Sequence, residues 1–233
     1  VSTKVGVEMT GFVEKVKSDG TRIVRIRGEE NISVHGVMPL PPYIKDRAID
    51  PDRYQTIYAK KEGSIAAPTA GLHFTQKLMS SIKEKGCEIV FVTLHVGWDS
   101  FREVRVKNPI DHEMHSEFWE LSDACASVLA KAKRENRKVI SVGTTATRLL
   151  ENASQKQNGF QISGGSGWAD IFITPGFKFQ MVDHLVTNFH LPKSSLLMLA
   201  SAFADREFIL HAYEEGIKED YRFYSFGDAM LIL

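Results

Sequence analysis

The sequence predicts an α/β protein preceded by a smaller all-β segment. Three observations carry this. Residues 1–27 contain two runs rich in Val and Ile around a Lys-Ser-Asp-Gly turn. Residues 38–44, MPLPPYI, include three prolines, which remove backbone donors and fix φ, so that stretch suits neither a helix interior nor a central strand. Beyond it, runs of helical and strand period alternate, which implies a largely parallel sheet, open or closed into a barrel.

Taken in order, VGVEMTGFVEKV and TRIVRIRG are expected to pair as a hairpin across Asp19-Gly20. MPLPPYI is a rigid connector and a domain boundary. Thr75 is placed to cap a helix reaching Lys85, with Leu78, Met79 and Ile82 on one face and Gly86 as the stop. EIVFVTLHV (88–96) is nearly continuous in apolar residues, the pattern of a strand buried on both faces. Ser122 opens a helix to about Glu135. KVISVG (138–143) reads as a strand, with TATRLLENA starting a helix straight after it. ADIFI (169–173) and HLVTNF (184–189) read as strands. Ser194 caps SLLMLASAFA, REFILHAYEEGIKE is a further helix, and the chain closes with YRFYSF and AMLIL.

The 233 residues suit one large domain, or one domain plus a small one. With 43% apolar and 25% charged residues the composition is that of a globular protein, and no run of eighteen apolar residues offers a membrane span. The first residues lack both a starting Met and the apolar core of a signal peptide, and they open in mid-strand, so a preceding portion is expected. Two cysteines, Cys87 and Cys125, make no disulfide framework and fit a reducing cytoplasm. Zero formal net charge argues against a generic, charge-driven nucleic-acid binder. The basic run from Lys131 to Lys138 reads first as a solvated helix end.

In α/β folds, sites gather at the carboxyl ends of strands. The residues there are His95-Val96-Gly97, Gly143-Thr144-Thr145, Thr174-Pro175-Gly176 and Asn188-Phe189-His190. HEMHSE (112–117) has two histidines three apart, which fails the four-residue spacing of a zincin helix. Read as a strand, it puts Glu113, His115 and Glu117 on one face, where the carboxylates would raise the pKa of His115 and orient its ring. An exposed edge strand with paired charges is the competing reading. In APTAGLHFT (67–75), Thr69, Gly71 and the loop N–H groups suit a carboxylate or another anion, with His73 at the helix entrance; a plain capping turn is the alternative. VGTTATRLLE (142–151) offers Thr144, Thr145 and the N–H groups of a helix start to an anion or to ribose hydroxyls, with Arg148 in reach of a phosphate or carboxylate. It has neither the glycines of a dinucleotide fingerprint nor the Gly-Lys pair of a P-loop. In NFHLPKSSLLML (188–199), Asn188 and His190 stand beside an apolar helix like the placed polar groups of a pocket wall.

These blocks, together with HVGWDSFREV, DIFITPGFKF, YRFYSFGDAMLIL and MPLPPYI followed by DRYQTIYA, occur in the order seen in a known family. From about residue 36 to 233 the chain resembles the S-adenosylmethionine:tRNA ribosyltransferase-isomerases of queuosine biosynthesis. The resemblance implies transfer and isomerisation of the ribosyl moiety of S-adenosylmethionine onto 7-aminomethyl-7-deazaguanine at the tRNA wobble position. Epoxyqueuosine forms, and adenine and methionine leave. It also implies a distorted α/β barrel for residues 36–233 and a small β-barrel domain of which residues 1–35 are part. No cofactor is implied, since S-adenosylmethionine is consumed as substrate, and the setting is cytoplasmic. The loop Gly97-Trp98-Asp99-Ser100-Phe101-Arg102-Glu103-Val104 departs from the family's Gly-Leu-Gly-Thr-Phe-Arg-Pro-Val, and Asp205 stands where the family often has Gly.

Such chemistry needs a base, an acid for the departing adenine, and shielding from water. By residue type and position, His115 is the base or shuttle, oriented by Glu113 or Glu117, with His95 and His190 as alternatives. Thr69, Gly71, His73, Thr144, Thr145 and Asn188 are candidates for holding substrate, and Arg102 and Arg148 for a phosphate or carboxylate. Two other classes remain open on the residues alone. A metal-dependent hydrolase using HEMHSE would retain stoichiometric metal after dialysis. A non-catalytic RNA-binding protein would bind tRNA indifferently to S-adenosylmethionine.

Overall fold

The computed structural model describes residues 9–17, 20–31, 36, 37, 40, 41, 43, 44, 50–97, 106, 114, 116–156 and 162–233. The chain divides into two compact units, Val1–Pro39 and Leu40–Leu233.

In the first unit, β1 (Thr10–Val16) and β2 (Arg22–Arg27) form an antiparallel hairpin with a register shift between Val13 and Lys15. Gly20 closes the turn at φ 83°, and its N–H donates to the Lys17 carbonyl at 3.0 Å. Both strands are exposed along their whole length, and the Arg27 guanidinium lies 5.7 Å from the centre of the Phe12 ring.

The second unit is a mixed α/β structure with two three-stranded sheets among its described residues. One sheet has the order β3 (Thr93–Leu94), β4 (Glu117–Leu121), β6 (Gly165–Ala169), antiparallel throughout. The other has the order β5 (Ile140–Val142), β7 (His184–Asn188), β8 (Ala229–Ile232). There β5 and β7 are parallel, while β8 is antiparallel to β7. The expectation of a largely parallel sheet is therefore corrected: one described strand pair is parallel, and no closed barrel is found among the described residues.

Two strand assignments change for identifiable reasons. EIVFVTLHV supplies two residues of ladder, because β3 lies at a sheet edge with β4 on one side; Val90 and Phe91 are exposed instead of doubly buried. The strand expected at 169–173 lies earlier, in the glycine-rich GSGWA. Glycine is poor in strands on composition, but Gly167 pairs with Trp119, and a Cβ there would meet the indole at 3.2 Å. The glycine makes room for the ring. Ile173 is buried without joining a ladder.

The helices follow their caps. Thr75 and Ser122 accept N–H bonds from Leu78 and Cys125, at the starts of α1 (Gln76–Glu84) and α2 (Asp123–Arg134). Next comes α3 (Thr144–Lys156), directly after Gly143. Ser194 caps α4 (Ser195–Ala204) through the Leu197 N–H at 3.1 Å. Asp205 caps α5 (Arg206–Lys218) by accepting from Glu207 and Phe208 N–H groups, while sitting at φ 78°. That backbone region favours glycine, and the cap bonds offset the strain of a side chain there. One apolar cluster gathers Leu94, Trp119 and Leu121 with α2 and α3; a second gathers Leu185 and Ile232 with α4 and α5.

Candidate functional site

Parallel pairing of β5 with β7 sets Gly143 and Asn188 at neighbouring strand ends. The Gly143 N–H donates to the Val186 carbonyl at 2.8 Å, and its φ of 90° turns the chain into α3. The small residues Ala66, Ala67 and Ala70 leave space in front of these ends, and a cavity of ≈ 340 Å³ results. Thr69, Thr144, Thr145, Asn188 and His190 all line it, beside Val96 and Leu196. The Thr69 hydroxyl donates to Asn188 Oδ1 at 2.9 Å, while Asn188 Nδ2 is buried and has no partner.

His190 Nε2 and the Thr187 hydroxyl are 2.7 Å apart, and the His190 backbone N–H donates to the Tyr213 hydroxyl at 2.7 Å. Burial pushes the imidazole down to about 4 and the Tyr213 phenol up to about 12. Both are neutral at physiological pH. On a further wall the Tyr43 and Ser225 hydroxyls share a hydrogen bond of 2.6 Å, and burial raises the Tyr54 phenol to about 12. Lys193, exposed at the rim, is the formally charged side chain among the described wall residues.

The neutral His190 makes stability pH-dependent. The unfolded imidazole titrates near 6.5 and the folded one near 4, so between these values the unfolded chain takes up a proton that the fold refuses. Stability falls as pH drops through that window, by about 3 kcal/mol at about 1.4 kcal/mol per unit. Urea unfolding at about pH 7 and about pH 4.5 should show this loss. His190→Gln, neutral throughout, should have the shallower pH dependence, and an unchanged slope would refute the assignment.

Several candidates lie away from the cavity. Glu117 and Arg148 are buried and ion-paired; Glu117 Oε1 also accepts the Gly97 N–H at 2.9 Å, and Arg148 Nη2 donates to the Ala169 carbonyl at 3.4 Å. Arg148 was expected to reach a ligand and Glu117 to orient His115. Among the described residues Glu117 and Arg148 tie β4, α3 and Gly97 together, while His115 lies outside the described residues. His95 stands opposite Phe118, stacked at 6.1 Å between ring centres, with Nδ1 buried and unpartnered; it is outside the cavity lining. His73 is exposed near Asp228. Gly71 is explained by packing, since a Cβ would lie 2.0 Å from the Tyr58 hydroxyl oxygen. Thr174–Gly176 do not line the cavity. Glu113, His115 and Arg102 lie outside the described residues, as does most of HEMHSE. Among the described residues no group of three or more His, Cys, Asp or Glu is placed to share a metal ion, and no helix is long and apolar enough to cross a membrane.

Sequence reasoning missed Tyr43, Tyr54 and Ser225. The first two sit in or after the proline-rich connector and the third in the final loop, so no strand end or helix start marks them. Their signal was the presence of PPYI, DRYQ and YRFYSF among the ordered blocks.

The family model described as "Queuosine biosynthesis protein" matches residues 2–232. The S-adenosylmethionine:tRNA ribosyltransferase-isomerase of Staphylococcus epidermidis is 54% identical over 225 residues, covering 95% of this chain and 65% of that protein. The enzyme of the same name from Staphylococcus haemolyticus is 56% identical, covering 92% of this chain and 63% of the relative. A crystal structure of the S-adenosylmethionine tRNA ribosyltransferase of Thermotoga maritima is similar with a TM-score of 0.56 and 31% identity, over 97% of this chain and 62% of that one. The chain thus spans somewhat less than two thirds of the length of these relatives.

Proposed function

The chain belongs to the family of queuosine biosynthesis proteins, and from that premise we propose that it transfers and isomerises the ribosyl moiety of S-adenosylmethionine onto 7-aminomethyl-7-deazaguanine in tRNA. Adenine and methionine leave, and the base becomes epoxyqueuosine. The observation that supports this reading is the cavity at the β5 and β7 ends, with its uncharged polar groups and the unpartnered Asn188 Nδ2. A pocket with apolar walls and a few placed hydrogen-bonding groups suits a polyfunctional small substrate.

The sulfonium acidifies the ribose 5′ carbon, from which a base takes a proton. Adenine departs as the ring opens, and the aminomethyl nitrogen attacks. The sulfur-stabilised carbanion closes on the aldehyde carbon, and methionine leaves as the epoxide forms. We assign the proton transfer to His115, with Glu113 or Glu117 as the carboxylate that orients it. His190 serves as a neutral hydrogen-bonding group: a lowered pKa leaves it uncharged, and Thr187 fixes its ring. Thr69, Thr144, Thr145 and Asn188 hold the substrate. The finer architecture belonging to this reading is a distorted α/β barrel over residues 36–233, with residues 1–35 part of a small β-barrel. The setting is cytoplasmic, the partners are S-adenosylmethionine and tRNA, and no cofactor is required.

The test is adenine release from S-adenosylmethionine, with and without tRNA carrying the aminomethyl-deazaguanine base. Adenine formed only with that tRNA, and sugar label appearing on the RNA, is the expected result. Release without RNA labelling would point to simple cleavage and overturn the transferase reading.

A further inference from the structure

The start of α3 differs from those of the other four α-helices described. Thr75, Ser122, Ser194 and Asp205 each cap a helix with a side-chain oxygen, whereas α3 follows Gly143, which has no side chain to give. Its first bond back along the chain is the Thr147 N–H to the Gly143 carbonyl, at 3.2 Å. The N–H groups of Thr144, Thr145 and Ala146 precede that bond, at the positive end of the helix dipole. Thr144 and Thr145 line the cavity.

An independent observation points to a ligand at the same place. Asn188 is 2% exposed and lines the same cavity. Its Oδ1 accepts from the Thr69 hydroxyl, and its Nδ2 is buried without a partner. A buried amide donor left unpaired is costly, and an acceptor from a ligand removes the cost. The described walls carry no acidic side chain to oppose an anion.

We infer that the N-terminus of α3 and the Asn188 amide together seat the α-carboxylate of S-adenosylmethionine. This assignment rests on reading the cavity as that ligand's site. The carboxylate is the one anionic group the molecule has. One of its oxygens meets the helix N–H groups and the other meets Asn188 Nδ2, and both bonds are charge-assisted. The methionyl portion is thereby anchored, with the sulfonium and sugar directed away from the end of α3.

The test is equilibrium binding of S-adenosylmethionine and of its decarboxylated analogue to the full chain. Wild-type protein should prefer S-adenosylmethionine by about 10- to 100-fold, the effect of losing one or two charge-assisted hydrogen bonds. Asn188→Asp keeps the shape and still accepts the Thr69 hydroxyl, but puts an oxygen where the donor was. It should abolish or invert the preference, since the analogue ends in an ammonium group. Equal wild-type affinity for the two ligands would overturn the assignment and leave the proposed function standing. So would an Asn188→Asp variant that weakens both ligands alike, which would set Asn188 against the adenosine portion. Failure of wild-type protein to bind either ligand would remove the functional reading and the carboxylate seat with it. Equal wild-type affinities overturn the seat whatever the variant does, and Asn188→Ser, which also removes the amide donor, replaces Asn188→Asp if that variant fails to fold.

Discussion

Glu151→Ala should destabilise the chain by about 4 kcal/mol or more, a large share of the ~5–15 kcal/mol available to a domain. Glu151 lies on α3 with no exposed surface, and its carboxylate accepts three consecutive backbone N–H groups: Gln180 at 2.8 Å, Met181 at 3.0 Å and Val182 at 2.9 Å. Removing it orphans three donors, two of them on fully buried or nearly buried residues, at about 1–3 kcal/mol each before relaxation. Glu151→Gln retains one carbonyl acceptor but turns an amide N–H₂ towards other N–H groups, so about 2 kcal/mol is expected for it. Urea unfolding should show the midpoint falling with an unchanged slope. A midpoint near wild type for Glu151→Ala would mean that water takes over all three donors.

Arg148→Met should cost about 3–5 kcal/mol, because it removes the buried guanidinium that pairs with Glu117 Oε2. The partners are both under a tenth exposed as side chains, and Glu117 additionally holds the Gly97 N–H. Glu117→Gln combined with Arg148→Met should cost clearly less than the two singles added, with a coupling of about 1–3 kcal/mol, since the double variant buries no unmatched charge. Thermal or urea unfolding of the four proteins completes the cycle, and strict additivity would sink the claim that the two groups act as a pair. The expected loss lies in folding. Arg148 pairs with Glu117 and donates to the Ala169 carbonyl, contacts with residues far off in sequence that its place after Gly143 does not reveal.

Local rules read well where the signal itself is local. Thr75, Ser122 and Ser194 each cap the helix their spacing implies, and the two strands on either side of the expected turn pair as a hairpin, with Gly20 at positive φ. Rules that infer neighbours from composition read less well. The apolar run 88–96 looks like a strand buried between helices, but burial depends on what pairs beside it, and β3 has one strand neighbour. The glycines of β6 hide a strand because its role is to accommodate Trp119, a residue 48 positions earlier in the paired register. Thr144, Thr145, Asn188 and His190, singled out by their place at strand ends, line one cavity. Tyr43 and Ser225 are brought there by tertiary folding alone, which no periodicity encodes.

The hydrogen bond between Tyr43 and Ser225 spans 182 positions of chain. A ribosome adding roughly 5–20 residues per second takes ~10–40 s to make the intervening stretch. For that interval one wall of the cavity exists without the other, and Tyr54, buried in the finished fold, waits beside partners not yet made. Closure over such a separation is entropically slow compared with helix formation. The cavity is accordingly among the last features of the chain to be completed, and a nascent chain stalled before its final loop has the helices without the closed cavity.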